Sequence, residues 1–396
     1  MRVLVANLGS TSFKYKLYDM PAARVLARGG MDRIGGSGSV HEFCFGEGDE
    51  IELECDLPDH AAAIDEALGR LVGPEGVMAS TAELEAVGFK AVHAGAVTGV
   101  VDLDDDVVER MIAYYPLAPA HNPAYVAAIR QFAAVVPAAR LIGCFESAFH
   151  GQVPLRRQLY AVPYEWYEQY GIRRYGFHGA SHRYAAEKVR ELNGPGRLRQ
   201  INCHLGGSSS LCAIDDGVSR GSSMGLTPQG GVPHNNRIGD LDPFALELVM
   251  REEGLSFEQV LQQCSGASGL LGLCGHNDVR DIEARASAGD PRCALAIEVL
   301  TTAVRDYLGA YVVELGGLEA ISFTGGIGEN SRTVRQQVLA GLDFLGARLD
   351  PERNNQSPDA VAGSCALHAD DSGVAIYALR TDEELIVARQ THEFLT

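Results

Sequence analysis

The sequence predicts an α/β protein made of two duplicated domains, and three observations carry that expectation. Short β-branched or apolar runs alternate with longer stretches of helical period along most of the 396 residues, the pattern of helices layered on sheets. That length fits about two or three domains at roughly 100–200 residues each. One layout also occurs twice. VLVANLGSTSFKYKLYD near the start and INCHLGGSSSLCAIDDG from Ile201 each read as apolar strand, Leu-Gly, small or hydroxyl residues, apolar strand, acidic end. Two hairpins of one design imply α/β domains facing each other across a cleft, with 1–150 as the N-terminal and 151–396 as the C-terminal domain. The competing reading is that any glycine turn between two strands looks this way.

The elements follow in order. Candidate strands are Arg2–Ala6, Phe13–Tyr18, Val87–Val92, Arg140–Cys144, Gln200–Cys203, Ser210–Ile214 and Ala320–Phe323. A helix over Asp59–Val72 places Ala63, Ala67, Leu68 and Leu71 on one face and stops at Gly73. A second opens at Asn122-Pro123, read as a capping side chain before proline at the first helical position. A third opens at Asp290-Pro291, carries Leu295, Val299, Val304, Leu308 and Val312, and ends at Gly316-Gly317.

Composition narrows the function. Lysine and arginine total 33 against 52 acidic residues, a net charge of −19, which argues against binding nucleic acid or an anionic membrane. The nine cysteines are scattered, with no C-x-x-C pair, and read as free thiols. MRVLVANLGS lacks the apolar core of a signal peptide, so a cytoplasmic, unprocessed protein is expected. Any bound anion must sit at a local site built against the overall field.

Small residues at a strand turn let backbone N–H groups approach a phosphate closely. Asn7, Ser10, Ser12 and Lys14 on the first hairpin, with Gly206, Gly207 and Ser208 on the second, can cradle a polyphosphate. ISFTGGIGENS adds a strand entering a glycine loop, with Asn330 or Ser331 placed to cap the next helix. Neither the P-loop nor the Rossmann fingerprint is present. Seven of the twelve histidines fall between positions 93 and 234. His178 and His182, four apart, raise a zinc hydrolase as a rival to hydrogen-bonded core histidines. Against the zinc reading, Ser181 reads as an N-cap that would split the pair, and no H-E-x-x-H motif is present. Arg237 beside glycine and aspartate is a candidate anion clamp, although pairing with Asp240 is the more ordinary role. Lys90 and Arg280 are the other cationic candidates, and Glu146, Asp278 and Glu383 are acidic candidates for metal binding, each alone more ordinarily a solvated surface residue.

Seven ordered blocks then resemble the acetate and propionate kinase family of the actin-like (ribonuclease H-like) phosphotransferase superfamily. They are NLGSTSFKYKL, APAHNPAYVAAI, VPYEWYEQYGIRRYGFHGASHRY, CHLGGSSSLCAIDDG, RIGDLDP, FTGGIGENS and TDEELIVAR. The resemblance implies reversible, direct in-line transfer of a phosphoryl group from ATP to a short-chain carboxylate. The acceptor is already ionised and needs no general base, so catalysis rests on positioning and charge stabilisation. By resemblance, Asn7 and Glu383 hold Mg²⁺, with Mn²⁺ as a substitute, and Ser10, Ser12 and Lys14 lie by the phosphates. Arg237 grips the carboxylate, His178 donates to the phosphoryl oxygens, and His204 to Ser208 form the second phosphate loop. Asp278, Arg280 and Gly326, Ile327, Gly328, Glu329 and Asn330 line the adenosine pocket, while Val92, Ala120, Phe177 and Pro228 surround the acyl chain. A homodimer and metabolic coupling to a phosphotransacylase are also implied.

Departures from the family pattern cluster at the chemistry. Lys90 stands where the family has arginine, and Glu146 where it has aspartate. These changes either compensate each other or mark lost activity. Gly207-Ser208 replaces Asn-Gly in the second phosphate loop, and Ala120 replaces leucine. The smaller Ala120 leaves room for an acyl group longer than acetyl unless a neighbour fills the gap. Two rival readings are a pyrophosphate-dependent kinase and a non-catalytic nucleotide-binding protein on the same fold.

Overall fold

A computed structural model describes residues 1–9, 11–73, 75–118, 121–359 and 362–396. The chain divides into two compact units, the first made of Met1–Ala148 with Asp382–Thr396, the second of Phe149–Thr381. The first contains strands β1 (Arg2–Leu8), β2 (Ser12–Asp19), β3 (Arg24–Asp32), β4 (Ser39–Phe45), β5 (Ile51–Cys55), β6 (Ala86–Phe89), β7 (Val100–Asp102) and β8 (Arg140–Cys144). They form one sheet in the order β5-β4-β3-β2-β1-β6-β8-β7. The second contains β9 (Arg199–Leu205), β10 (Ser209–Asp215), β11 (Val218–Ser222), β12 (Ala320–Thr324), β13 (Ser364–Ala366) and β14 (Ala375–Leu379). Its order is β11-β10-β9-β12-β14-β13.

The two sheets share one plan, which explains the repeated sequence layout. In the first, β1 runs antiparallel to β2 and parallel to β6, and β6 runs parallel to β8. In the second, β9 runs antiparallel to β10 and parallel to β12, and β12 runs parallel to β14. The central strands are apolar on both faces because helices cover both. In the first unit Ile64 and Leu71 of helix His60–Val72, with Ile129 and Phe132 of helix Asn122–Val135, pack on Phe13 and Phe89. On the opposite face Val387 and Ala388 of helix Glu383–Leu395 meet Val3, Val5 and Ile142. Gly88 permits that approach, since a Cβ there would lie 3.0 Å from Val387 and closer still to Thr391. In the second unit helix Pro291–Leu315 covers Ile201, Leu211 and Phe323, while Ala185 and Val189 of helix Gly179–Asn193 cover Ala320 and Leu379.

The helix starts expected at Asp59 and Asp290 are each set by a capping side chain. Asp59 accepts from Ala62 N at 2.9 Å, and Asp290 accepts from Arg292 N at 2.9 Å and Cys293 N at 3.2 Å. Asn122, expected as a cap, is instead the first residue of its helix, fully buried, donating Nδ2 to the carbonyls of His93 and Met111 at 2.8 Å each. Ser181 is not an N-cap either. His178 occupies that position in the left-handed region (φ 57°, ψ 30°), and Ser181 lies buried in the first turn. The glycine segment expected as a loop is a short helix, Gly325–Asn330, entered through Gly325 at φ +74°. Ser331 caps the helix after it, accepting from Val334 N at 3.0 Å. Among the described residues no helix is long and apolar enough to cross a membrane.

Candidate active site

In the first unit the β1–β2 hairpin, the end of β6 and the start of the last helix bring charge together. Register pairs Ala6 with Phe89, so Asn7 and Lys90 are the next residues on neighbouring strands. Lys90 forms a close ion pair with Glu383 and lies 3.8 Å from Glu146 Oε1. Burial alone would lower the Lys90 pKa, but the carboxylates of Glu383 and Glu146 outweigh it and hold the value well above the ordinary lysine range. Glu146 is buried and anchored by its own N–H, which donates to Ala91 O at 2.8 Å. The Asn7 amide donates to Glu384 Oε1 at 3.2 Å and accepts from the Tyr125 hydroxyl at 3.3 Å. Lys16 pairs with Asp382 at 2.9 Å and Glu384 at 3.6 Å. Ser12 is half-buried and Lys14 exposed on β2, and Val92 is buried just beyond Lys90. Ser10 and Ala120 lie outside the described residues.

Tyr125, Asp382, Glu384 and Lys16 belong to this cluster and were missed in the sequence. The acidic run at 382–384 was the available signal, because three consecutive carboxylates at a helix start exceed what capping requires. Carboxylates and an amide oxygen are hard donors, so Asn7, Glu383 and Glu384 suit a divalent cation of the Mg²⁺ type.

The second unit is wired differently. His178 Nδ1 and His182 Nε2 each lie 2.8 Å from the Ser210 hydroxyl, so the two histidines share a face after all. His182 N donates to His178 O at 2.9 Å, the i to i+4 bond that aligns them. The His178 ring lies against His204, centroids 4.2 Å apart, and His204 Nδ1 meets the Ser181 hydroxyl at 2.7 Å. His150 bonds Ser219 Oγ at 2.8 Å and Phe177 O at 2.9 Å, and burial pushes its pKa down to about 4. These rings are hydrogen-bonded to hydroxyls and carbonyls, and among the described residues no three His, Cys, Asp or Glu side chains form a metal-binding group.

Gly206, Gly207 and Ser208 form the β9–β10 turn, and the 228–237 segment is tied to it. His234 Nδ1 accepts from Ser209 N at 2.8 Å, and Asn235 N donates to Gly207 O at 3.2 Å. Arg237 Nη1 reaches Ser208 Oγ at 3.2 Å and Pro228 O at 3.0 Å. Asp240 does not pair with it; that carboxylate accepts from Gly231 N at 2.9 Å and from the Tyr307 hydroxyl at 2.5 Å. Among the described residues Arg237 therefore has no carboxylate partner, and burial lowers its pKa. Burial, reinforced by the Arg237 charge, pushes His234 down to about 3. Phe177 and Pro228 are buried beside these groups.

Asp278 caps helix Val279–Ser287 and pairs with exposed Arg280, Oδ2 to Nη2 at 2.6 Å, a bond that holds the carboxyl down at about 2. The same helix meets the Gly326–Asn330 turn through Ser331 Oγ, which donates to Glu283 Oε1 at 2.5 Å. Buried Arg335 fixes that turn by donating to the carbonyls of Gly328 at 3.0 Å and Glu329 at 2.7 Å.

Known proteins resemble this chain over its full length. The pattern of the Acetokinase family matches residues 2–389. An acetate kinase of Phocaeicola vulgatus is 42% identical over 397 residues, 99% of this chain and 98% of that protein. The crystal structure of Porphyromonas gingivalis acetate kinase is similar at a TM-score of 0.88 and 35% identity, with all of both chains covered. A propionate kinase from Francisella tularensis subsp. tularensis SCHU S4 matches at 0.88 and 30% identity over 98% of each chain. Nothing in these matches supports a pyrophosphate-dependent, non-catalytic or zinc-hydrolase reading. The chain belongs to the Acetokinase family, and is a kinase that phosphorylates a carboxylate with ATP and a divalent metal.

Proposed function

We propose that the enzyme makes an acyl phosphate from a short-chain acid, propionate or butyrate in preference to acetate, by direct in-line transfer that also runs in reverse. The observation that carries the mechanism is Arg237. It is a partly buried guanidinium with no carboxylate partner among the described residues, held by Ser208 Oγ and Pro228 O. Such a group is poised for an anionic ligand, and it clamps the acyl carboxylate and stabilises charge on the moving phosphoryl. His178 donates to the phosphoryl oxygens, and His204 through Ser208 cradle the phosphates. Asp278, Arg280 and Gly326 to Asn330 hold the adenosine.

In the first unit Ser12 and Lys14 face the phosphates, while Lys90 and Glu146 position the acceptor. Asn7 and Glu383 hold the cation, Mg²⁺ or Mn²⁺, with Glu384 beside them. When bound, the cation supplies charge neutralisation on the nucleotide, without which a −19 chain opposes an anionic substrate. By family resemblance Val92, Ala120, Phe177 and Pro228 are the residues assigned to the acyl chain, Ala120 lying outside the described residues.

A homodimer is supported by Leu241, Phe244, Leu248, Phe257 and Leu261, all exposed on helices Phe244–Glu253 and Phe257–Gly266 and the turn before them; Phe244 is 82% exposed. Cytoplasmic residence and coupling to a phosphotransacylase complete the reading. Trapping the acyl phosphate with hydroxylamine, using ATP, Mg²⁺ and acids of graded length, tests it. Hydroxamate should form best with an acid longer than acetate. Ala120→Leu should then shorten the preferred chain, changing the ratio by about 10-fold or more, the worth of filling a methylene-sized pocket. No hydroxamate with any acid would sink the proposal, and an unchanged preference would sink its acyl-length part.

A further inference from the structure

We propose that Ser210, His182 and Asn202 form a hydrogen-bond relay that holds His178 in the tautomer protonated on Nε2, the form able to donate to the transferred phosphoryl group. The inference rests on the reading of His178 given above. None of the three relay residues touches the reacting atoms, so each is a positioning residue.

The relay begins on β9. Ser322 Oγ donates to Asn202 Oδ1 at 2.8 Å, with the amide nitrogen on the other side. That nitrogen donates to His182 Nδ1 at 2.9 Å and to Thr324 Oγ1 at 3.2 Å. Fully buried His182 is held well below the ordinary histidine pKa by burial and by the neighbouring His150 and His204 rings, so it carries a single ring proton. With Nδ1 accepting, that proton is on Nε2, which donates to Ser210 Oγ at 2.8 Å. A hydroxyl that accepts there has its own proton to give, and the other ring nitrogen in reach is His178 Nδ1 at 2.8 Å. An accepting Nδ1 leaves the proton of neutral His178 on Nε2.

Geometry reinforces the assignment. The left-handed region is strained for a residue other than glycine, and His178 adopts it at φ 57°. That conformation places the ring over His204 with Nδ1 turned toward Ser210. The strained backbone and the relay thus fix one ring, one in direction and the other in proton position.

Nitrogen–proton correlation spectra of histidine-labelled enzyme test this directly, with the His178 signals assigned by their loss in His178→Gln. Wild type should show Nε2 protonated and Nδ1 bare. Ser210→Ala should give a mixture of tautomers and lower kcat about tenfold, the worth of one well-placed hydrogen bond, with KM for the nucleotide changed less than about twofold. Ser210→Thr keeps the hydroxyl and should restore both. A wild-type His178 protonated on Nδ1 overturns the relay, and so does Ser210→Ala with unaltered tautomer or unaltered kcat. If Ser210→Ala fails to fold, the wild-type spectrum decides. Full turnover in His178→Gln would instead defeat the role given to His178 itself, whatever the spectrum shows.

Discussion

The two units use one strand plan and reach opposite electrostatic solutions. At the end of β1 the first unit gathers Lys16, Lys90, Asp382, Glu383, Glu384 and Glu146 into a web of ion pairs. At the equivalent end of β9 the second unit buries neutral imidazoles, hydroxyls and an amide, with Arg237 as a cation lacking a carboxylate partner among the described residues. A duplicated scaffold therefore does not dictate a duplicated site. The first unit presents two lysines shared among four carboxylates, an ion-paired set that stays net negative and that a cation can join. The second presents preset hydrogen-bond directions and, in Arg237, a charge without a carboxylate partner among the described residues.

The largest effect should come from removing that charge. Arg237→Ala is expected to lower kcat/KM by about 10³-fold, the scale of losing a charged clamp on a transition state. Folding should change little, since no carboxylate among the described residues is orphaned, and thermal unfolding alongside steady-state kinetics checks both halves. Retention of most activity would place the clamp elsewhere.

Acid should separate the units next. His150 and His234 are held at about 4 and about 3, so both stay neutral when folded at moderate pH. Unfolded histidine titrates near 6.5, so below that pH the unfolded state binds protons the folded state does not. Stability is then lost as pH falls from 6.5 toward 4, by about 1.4 kcal/mol per pH unit for each such histidine. Trp166 is the single tryptophan and lies in the second unit, so its fluorescence during urea unfolding reports that unit. Its midpoint should drop between pH 6.5 and pH 5, and His150→Asn should flatten the drop. A midpoint independent of pH would mean that the network is not the acid-sensitive element.

Much of the framework behind this contrast was legible in the sequence, because it rests on local signals. The paired hairpins, the Asp59 and Asp290 caps and the Gly316 stop all follow from residue types within a few positions. Strands β3 to β5 were not anticipated, since Arg24–Asp32 carries two glycines and Ile51–Cys55 is an edge strand largely open to solvent. Their pairing is decided by neighbouring strands. The site divides similarly. Arg237 and His178 stand out by type and motif, whereas Ser210 and Asn202 look like ordinary strand residues until β9 and β10 pair. The start of helix Gly179–Asn193 was misplaced because Ser181 is a good capping residue by propensity. Its hydroxyl is instead engaged by His204, a contact that only the fold creates.

The smallest predicted effect probes the ion-paired side of the comparison. Lys90 is a compact charge serving two carboxylates, with its side chain 22% exposed and that of Glu146 5% exposed. Lys90→Arg inserts a wider planar group against Glu146, and Glu146→Asp alone draws the carboxylate back from a lysine too short to follow. Each single change should lower kcat/KM by about five- to tenfold, the worth of about 1 kcal/mol of misplaced ion pair. The double variant should recover to within about threefold of wild type, because the longer cation then meets the shorter anion. Losses that simply multiply would show that Lys90 and Glu146 act independently, and the first unit would then be a set of separate charges and no longer a coupled web.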